Sequence, residues 1–323
     1  MRWQIVLAAI LVLWSGAAGL AAQDYQSLAE VLKQESIPFP PPAIPDLNAR
    51  ITSFATLNDA TEFVIAYYQA DPKNQRLLLP LLVTRFNKVT GQWQHASLND
   101  PKVEVEGGSS DCLGSVLNVQ RHNKRYYLTL HWNPSAGCLL ILNDDLTVDQ
   151  TLAGGPAAFF RSGLFLYSGN MVHFAAVHPE TLWLYDPGTR TSKQIYPQPE
   201  DPLRSAYSAR LAKAINDDRC RVNNWGCVPE EFTSAIAFPV AVNDEPESMA
   251  FRVSFEPEGF VDPEAEDNGQ WDNDTYVYIF QLKPFRWRAF SVYDLKPKFG
   301  TDALPELLTP GKLEKVFAMP APK

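Results

Sequence analysis

From Arg50 onward the chain alternates two kinds of segment, and this alternation limits the folds it can adopt. Short runs rich in Val, Ile, Leu, Phe, Tyr and Trp are separated by Asn, Asp, Gly and Pro. The first kind packs well on a pleated sheet and the second kind forms turns. With 46% hydrophobic residues in 323, the chain has enough apolar material for a sizeable core. The pattern therefore predicts an all-β fold.

Four segments share one plan, in which an apolar strand is followed by a polar turn and a second strand. They are Leu82–Leu98, Leu139–Leu152, Thr181–Tyr196 and Tyr278–Tyr293. The first strands end at intervals of 56, 43 and 97 residues. The last interval is close to twice 48, which leaves room for a degenerate copy around Ala235 to Val242. A period of about 40 to 50 residues with four strands per unit is typical of β-propellers.

One of these segments carries a resemblance to a known architecture. LWLYDPGTRTSKQIYP, residues 182–197, resembles the outer hairpin of kelch-like propeller blades. The paired glycines of a kelch blade are missing, as are the Trp-Asp and Gly-His marks of the other common class, so the resemblance names no subfamily. It implies an irregular β-propeller of about five to seven blades over residues 46–323. A β-sandwich or two β domains are the alternative.

Two helices are expected beside the strands. Leu28, Val31 and Leu32 have amphipathic helical spacing within residues 25–35, and the proline-rich run PFPPPAIP ends that helix. Residues 23–45 are therefore expected to be a short helix and a linker that pack loosely or act as a tether, and limited proteolysis should remove them without unfolding the rest. The second helix, Pro202–Asn216, is inserted among the strands, with Asp201 placed to cap its start.

The first 22 residues have the order of a secretory signal peptide. Arg2 precedes the apolar run Ile5–Trp14, and small residues follow up to Ala22. Cleavage would leave a mature chain that starts at Ala22 or Gln23, in the periplasm or outside the cell. An uncleaved anchor is the alternative, and no membrane insertion is expected after cleavage.

Four cysteines remain in a chain that is expected to leave the reducing compartment. Disulfides are the natural interpretation, and proximity favours Cys112 with Cys138 and Cys220 with Cys227. The other connectivities stay open. A four-cysteine zinc site is less well matched, because structural zinc usually takes two close cysteine pairs.

Three histidines form a candidate ligand or metal site. His131 and His178 stand at the ends of predicted strands, and His173 lies five residues before His178. On one continuous strand residues five apart face opposite sides, so a shared metal needs a break in the strand. If the strand ends meet near a propeller channel, these histidines could hold zinc. The alternative is that each donates to a backbone carbonyl.

The loop EPEGFVDPEAEDNGQWDND, residues 256–274, is a candidate calcium site. Its candidate oxygen ligands are Glu264, Glu266, Asn268 and Asp272. The first three place their oxygens at alternate positions before Gly269, which suits calcium, but Thr275 stands where a bidentate Glu belongs. A solvated acidic loop is the alternative.

Charge and motifs narrow the functional classes. A net charge of −9 repels nucleic acid phosphates, so no nucleic acid partner is expected. No nucleophile elbow, metalloprotease motif or phosphate loop is found in the sequence. We therefore expect a non-catalytic binding or scaffold protein of the bacterial cell envelope, with an envelope protein or extracellular ligand as partner. A metal-assisted hydrolase or lyase built on the histidines is the alternative. No cofactor is predicted beyond the zinc and calcium hypotheses.

Overall fold

The structure is a computed structural model. It describes residues 26–41, 47–70, 77–99, 101–105, 108–112, 114–133, 136–168, 181–207, 209, 232–257 and 275–319. Several predicted features lie outside these residues and stay predictions: the signal segment 1–22, His173, His178, Cys220, Cys227, Glu264, Glu266, Asn268 and Asp272.

Most of the described residues are in strands, which confirms the all-β prediction. The strands are β1 (Gln26–Ser27), β2 (Arg50–Asn58), β3 (Glu62–Ala70), β4 (Leu77–Asn87), β5 (Trp93–Leu98), β6 (Lys102–Val105), β7 (Gly108–Asp111), β8 (Ser115–His122), β9 (Arg125–Asn133), β10 (Ala136–Leu142), β11 (Val148–Ala153), β12 (Gly155–Phe159), β13 (Phe165–Ser168), β14 (Leu182–Asp186), β15 (Thr191–Tyr196), β16 (Phe232–Asp244), β17 (Glu247–Pro257), β18 (Thr275–Gln281) and β19 (Arg286–Ser291). The helices are α1 (Leu28–Gln34), α2 (Val292–Phe299), α3 (Leu304–Leu307) and α4 (Pro310–Ala318), and residues 202–207 form a further helical segment. Within the described residues, no helix is long and apolar enough to cross a membrane.

The strands form four larger sheets in which consecutive strands are neighbours. The first sheet contains β1 to β5, the second β8 to β11, the third β12 to β15 and the fourth β16 to β19. β6 and β7 form a separate two-stranded ribbon. A four-stranded antiparallel meander is the topology of a propeller blade. Closure of such sheets into a ring of five to seven blades stays a prediction.

The four predicted hairpins are confirmed, and each occupies the same place in its sheet. They are β4–β5, β10–β11, β14–β15 and β18–β19, the last two strands of the four larger sheets. The degenerate copy expected around Ala235 to Val242 is wrong. That segment belongs to β16, which pairs with β17 as the first hairpin of the fourth sheet. The interval of 97 residues therefore contains β16 and β17, which belong to the same sheet as the hairpin β18–β19.

The chain divides into two compact units. The first contains Met1–Trp132 and Cys138–Leu152, and the second contains Asn133–Gly137 and Ala153–Lys323. In the first unit, helix α1 begins with a capping box in which Ser27 and Glu30 satisfy each other's backbone N–H groups. The predicted helix is thus confirmed.

The loose packing expected for residues 23–45 is wrong for α1. Leu28, Val31 and Leu32 are buried and belong to one apolar cluster with Phe63 and Ile65 of the first sheet. Burying an apolar stripe of this kind removes it from water, which stabilises the unit. The helix is therefore part of the core, and proteolytic removal of α1 would expose this face of the first sheet.

The predicted pairing of Cys112 with Cys138 is confirmed. The two residues are bonded, fully buried and 5.7 Å apart at Cα. The bridge joins the segment before β8 to β10, across 26 positions of the sequence. Closing a loop of that length restricts the unfolded chain, and the loop-closure model assigns it about 3.5 kcal/mol.

Replacing both Cys112 and Cys138 by alanine should lower the free energy of unfolding by about 2 to 4 kcal/mol. Urea denaturation followed by circular dichroism measures the change. As a control, the parent protein with a reductant should approach the stability of the double variant, apart from any contribution of Cys220 and Cys227. A double variant as stable as the oxidised parent would contradict the expectation.

In the second unit, the fourth sheet is apolar on both faces. Along β18, Tyr278 and Phe280 pack into one cluster with residues of the third sheet, while Val277 and Ile279 pack into another with the C-terminal helices. Alternation along a strand explains how neighbours reach opposite clusters. The sequence pattern does not predict helices α2 to α4, which cover the second face. Leu295, Phe299, Leu313 and Val316 supply their buried side chains.

Candidate functional site

Of the three predicted histidines, His131 lies within the described residues, and His173 and His178 lie outside them. His131 stands on β9, opposite Ser115 of β8, and is partly exposed. No group of three His, Cys, Asp or Glu residues suited to a metal ion occurs in the described ranges. The histidine and calcium hypotheses stay predictions.

The first unit contains a buried ionic cluster, made of Glu62, Arg85, Arg121, Tyr126 and Asp144. Glu62 is fully buried at the start of β3. One carboxylate oxygen accepts from Arg121 Nη1 at 2.7 Å, and the other accepts from Arg85 Nε at 2.8 Å and from the Tyr126 hydroxyl at 2.6 Å. The cluster thus joins strands of the first and second sheets.

The outer member of the buried ionic cluster is Asp144, whose side chain is half-exposed. Its carboxylate lies 3.0 Å from Arg121 Nη2 and 3.3 Å from Arg85 Nη1. Burial and the Glu62 carboxylate raise the pKa of Tyr126, so its hydroxyl stays protonated and donates. Two guanidinium groups face two carboxylates. The cluster is therefore neutralised internally, which suits a structural joint between the two sheets.

The second unit contains a cleft that can hold a small molecule, with a volume of about 360 Å³. It lies where β15 ends and the helical segment 202–207 begins. Its lining residues are Gln194, Pro197, Gln198, Pro199, Asp201, Arg204 and Ser205. Ligand pockets in proteins typically have volumes of about 300 to 1,000 Å³. We refer to this feature as the 194–205 cleft.

Asp201 is the acidic residue of the cleft, and its hydrogen bonds hold it in place. It is 1% exposed. Its Oδ1 accepts from the backbone N–H of Leu203 at 3.0 Å, which caps the helical segment as predicted. Its Oδ2 accepts from the Tyr278 hydroxyl at 2.5 Å. Both carboxylate oxygens are thus engaged, which fixes the orientation of the Asp201 side chain.

Tyr278 keeps its proton in this environment. Burial raises the pKa of the Tyr278 hydroxyl, and the adjoining Tyr196 and the Asp201 carboxylate raise it further. The hydroxyl therefore remains a neutral donor at every physiological pH. The Tyr278–Asp201 pair connects the wall of the cleft to the core of the second unit.

The remaining polar walls are also held in place. The Arg204 guanidinium carbon lies 5.8 Å from the centre of the Tyr196 ring. Gln194 Nε2 donates to the backbone carbonyl of Pro197 at 2.9 Å, and Gln198 Nε2 donates to that of Ile195 at 2.5 Å. Groups that are positioned before a ligand arrives lose less entropy on binding.

Sequence reasoning identified Asp201 as a helix cap but missed the cleft. Gln194, Pro197 and Gln198 are spread along a strand end and its following turn, and nothing in their types marks a site. The run YPQPEDP, residues 196–202, is the one local signal, because three prolines stiffen the segment that forms the wall. Tyr278 lies 77 positions from Asp201, beyond the reach of any local pattern.

Replacing Tyr278 by phenylalanine should lower the free energy of unfolding of the second unit by about 1.5 to 3 kcal/mol. The variant removes a donor to a buried charged group, for which the loss is largest. Tyr167→Phe is the matched control, because the Tyr167 hydroxyl donates to the neutral Ser192 hydroxyl at 2.9 Å and should cost only about 0.5 to 1.5 kcal/mol. Urea denaturation compares the two variants. Equal losses would argue against a special role of the Asp201 charge.

Comparisons with known proteins support no assignment of this chain. No family model and no curated protein matches the chain. Among solved structures, the β-propeller domain of the Trilobed protease from Pyrococcus furiosus is 7% identical, with a TM-score of 0.26 over 74% of this chain and 70% of that chain. The tricorn protease is 8% identical, with a TM-score of 0.26 over 74% of this chain and 31% of that chain. At these TM-scores nothing is inferred from the activity of either protein.

Proposed function

We propose that this chain is an exported, non-catalytic binding protein of the cell envelope, and that the 194–205 cleft is its ligand site. The observation that carries the proposal is the burial of Asp201 and the hydrogen bonds that its carboxylate accepts. The one carboxylate among the described lining residues is buried and accepts two hydrogen bonds, so it orders the wall of the cleft. A wall that is ordered before the ligand arrives favours recognition, because less entropy is lost on binding.

Export is the second part of the proposal. The Cys112–Cys138 bridge supports it, because stable disulfides are typical of oxidising compartments. The signal-like segment before Gln23 supports it independently. Mass spectrometry of the protein purified from its own host should find a mature amino terminus at Ala22 or Gln23. A chain that retains Met1 and fractionates with the cytoplasm would overturn this part.

The proposal that the 194–205 cleft binds a ligand is tested with a panel of anionic, cationic and uncharged small molecules. Thermal melts compare the full mature chain with Ser205→Phe, in which a large side chain placed at an exposed position fills the cleft. A ligand of the cleft should raise the melting temperature of the parent but not of the variant. Chromatography of the same samples should recover that ligand unchanged. Conversion of the compound would show an enzyme, and a panel without any cleft-dependent shift would count against a binding site there.

A further inference from the structure

The chemistry of the lining indicates which class of ligand the 194–205 cleft accepts. Among the described residues that line it, one is acidic and one is basic, Asp201 and Arg204, three positions apart in the sequence. A net anion is attracted by Arg204 but repelled by the carboxylate behind it, and a net cation meets the opposite pair of effects. An uncharged ligand avoids both penalties.

The other polar lining residues carry dipoles and no net charge. Gln194 and Gln198 each use one amide N–H to hold their own loop, which leaves on each a second N–H donor and a carbonyl acceptor. The Ser205 hydroxyl donates to the backbone carbonyl of Asp201 at 3.1 Å, so its oxygen remains an acceptor. The described wall of the cleft therefore offers both donors and acceptors. Hydroxyl groups match such a wall, because each can donate and accept at once.

The other described lining residues are two prolines, which are apolar and stiff. Pro197 and Pro199 present pyrrolidine rings, whose C–H surface suits the carbon skeleton of a small ligand. Tyr196, beneath Arg204, is fixed by edge contacts with Phe251 and Tyr278, at ring distances of 5.8 and 5.2 Å. The cleft is thus a preformed site with a mixed polar wall, which favours a rigid ring-shaped ligand over a flexible chain.

We propose that the 194–205 cleft binds an uncharged, hydroxyl-rich small molecule of the size of a monosaccharide or a cyclic sugar alcohol. Arg204 donates to ligand oxygens, the two glutamines accept and donate at neighbouring hydroxyls, and the prolines contact the ring. The proposal rests on the proposed binding function and adds the class of ligand to it.

Isothermal titration of the full mature chain tests the class of ligand directly. The neutral arm uses glucose, galactose and myo-inositol, and the charged arm uses acetate, succinate, inorganic phosphate and ethanolamine. Millimolar concentrations avoid the general stabilisation that sugars cause when they are concentrated. We expect saturable binding in the neutral arm and none in the charged arm.

Variants locate the binding. Gln194→Ala with Gln198→Ala should weaken the affinity for the neutral ligand about ten- to a hundred-fold, as two hydrogen bonds are lost. Ser205→Phe should abolish binding while both glutamines are retained. This second variant tests the site even if the double glutamine variant folds poorly. Lys298→Gln is the control, because Lys298 lies on α2, where it pairs with Asp294, and should leave the affinity unchanged.

The possible outcomes separate this inference from the proposed function. Binding in the charged arm alone, lost in Ser205→Phe, overturns the ligand class and keeps the binding function. A sugar that binds at the cleft and is converted to a product keeps the ligand class and overturns the non-catalytic function. Neutral ligands that bind equally well to the parent and to Ser205→Phe, or that do not bind at all, overturn the inference.

Discussion

Glu62→Ala is expected to lower the free energy of unfolding of the first unit by about 3 to 5 kcal/mol. Without Glu62, the half-exposed Asp144 is the one carboxylate left in the cluster for both Arg85 and Arg121, so the desolvation of the buried charge is no longer fully offset. Arg85 is the residue left behind, with a side chain only 8% exposed. Tyr126 also loses the acceptor of its buried hydroxyl. Urea denaturation followed by tryptophan fluorescence and circular dichroism measures the loss.

Two further variants interpret the Glu62→Ala result. Glu62→Gln keeps the size of the side chain and should show most of the loss, since Arg85 and Arg121 then share the half-exposed Asp144 as the one carboxylate of the cluster. Asp111→Ala removes an exposed pair with Lys102 in the same unit, where both side chains are more than half exposed. Exposed pairs typically contribute less than about 1 kcal/mol. If Glu62→Ala costs no more than Asp111→Ala, the buried ionic cluster does not stabilise the joint between the first two sheets.

Phe251→Ala should lower the free energy of unfolding of the second unit by about 3 to 5 kcal/mol. The Phe251 side chain is fully buried, and its ring is nearly parallel to those of Tyr278 and Phe280 on the neighbouring strand, at ring distances of 5.9 and 5.7 Å. Its removal loses the transfer free energy of the ring and leaves a cavity that a sheet held on both faces cannot close. The midpoint and slope of the urea unfolding transition give the change in the free energy of unfolding.

Phe285→Ala is the matched control for Phe251→Ala. Phe285 is 38% exposed, and it contacts the Lys193 ammonium group, which lies 3.3 Å from the ring centre. Its replacement should change stability by no more than about 1 kcal/mol, because little buried surface is lost. Similar losses of unfolding free energy for the two variants would mean that the packing of Phe251 against Tyr278 and Phe280 does not stabilise the core more than an exposed ring does.

The predicted parts of the fold depend on local spacing. The hairpin β14–β15 needs only a turn, Pro187 to Arg190, between two alternating runs, and its register follows from the turn. Helix α1 needs only a capping box and a stripe of three apolar residues. In contrast, strands β2 and β8 contain several polar residues, and α2 to α4 follow the last predicted strand as short amphipathic segments. Their conformation depends on the sheets against which they pack, so the sequence pattern does not reveal them.

The cleft and the buried ionic cluster could not be predicted in the same way. Asp201 is recognisable as a cap from its position before Pro202, but its burial depends on Tyr278 from another sheet. Glu62 looks like any acidic residue at the start of a strand, and Arg121, its partner, lies 59 positions away. A sequence pattern records neighbours along the chain, whereas the solvation of a charge depends on neighbours in space.

By itself, the sequence determined the strand and hairpin pattern, the start of α1 and the capping role of Asp201, and it favoured the Cys112–Cys138 pairing. Each of these depends on residues close together in the chain, where steric preference and loop length decide the outcome. Only the tertiary structure decided that α1 belongs to a core, that Glu62 and Asp201 are buried, and that Gln194, Gln198 and Arg204 line one cleft. These features arise from contacts between distant segments, and the free energy of such contacts exists only once the sheets have packed.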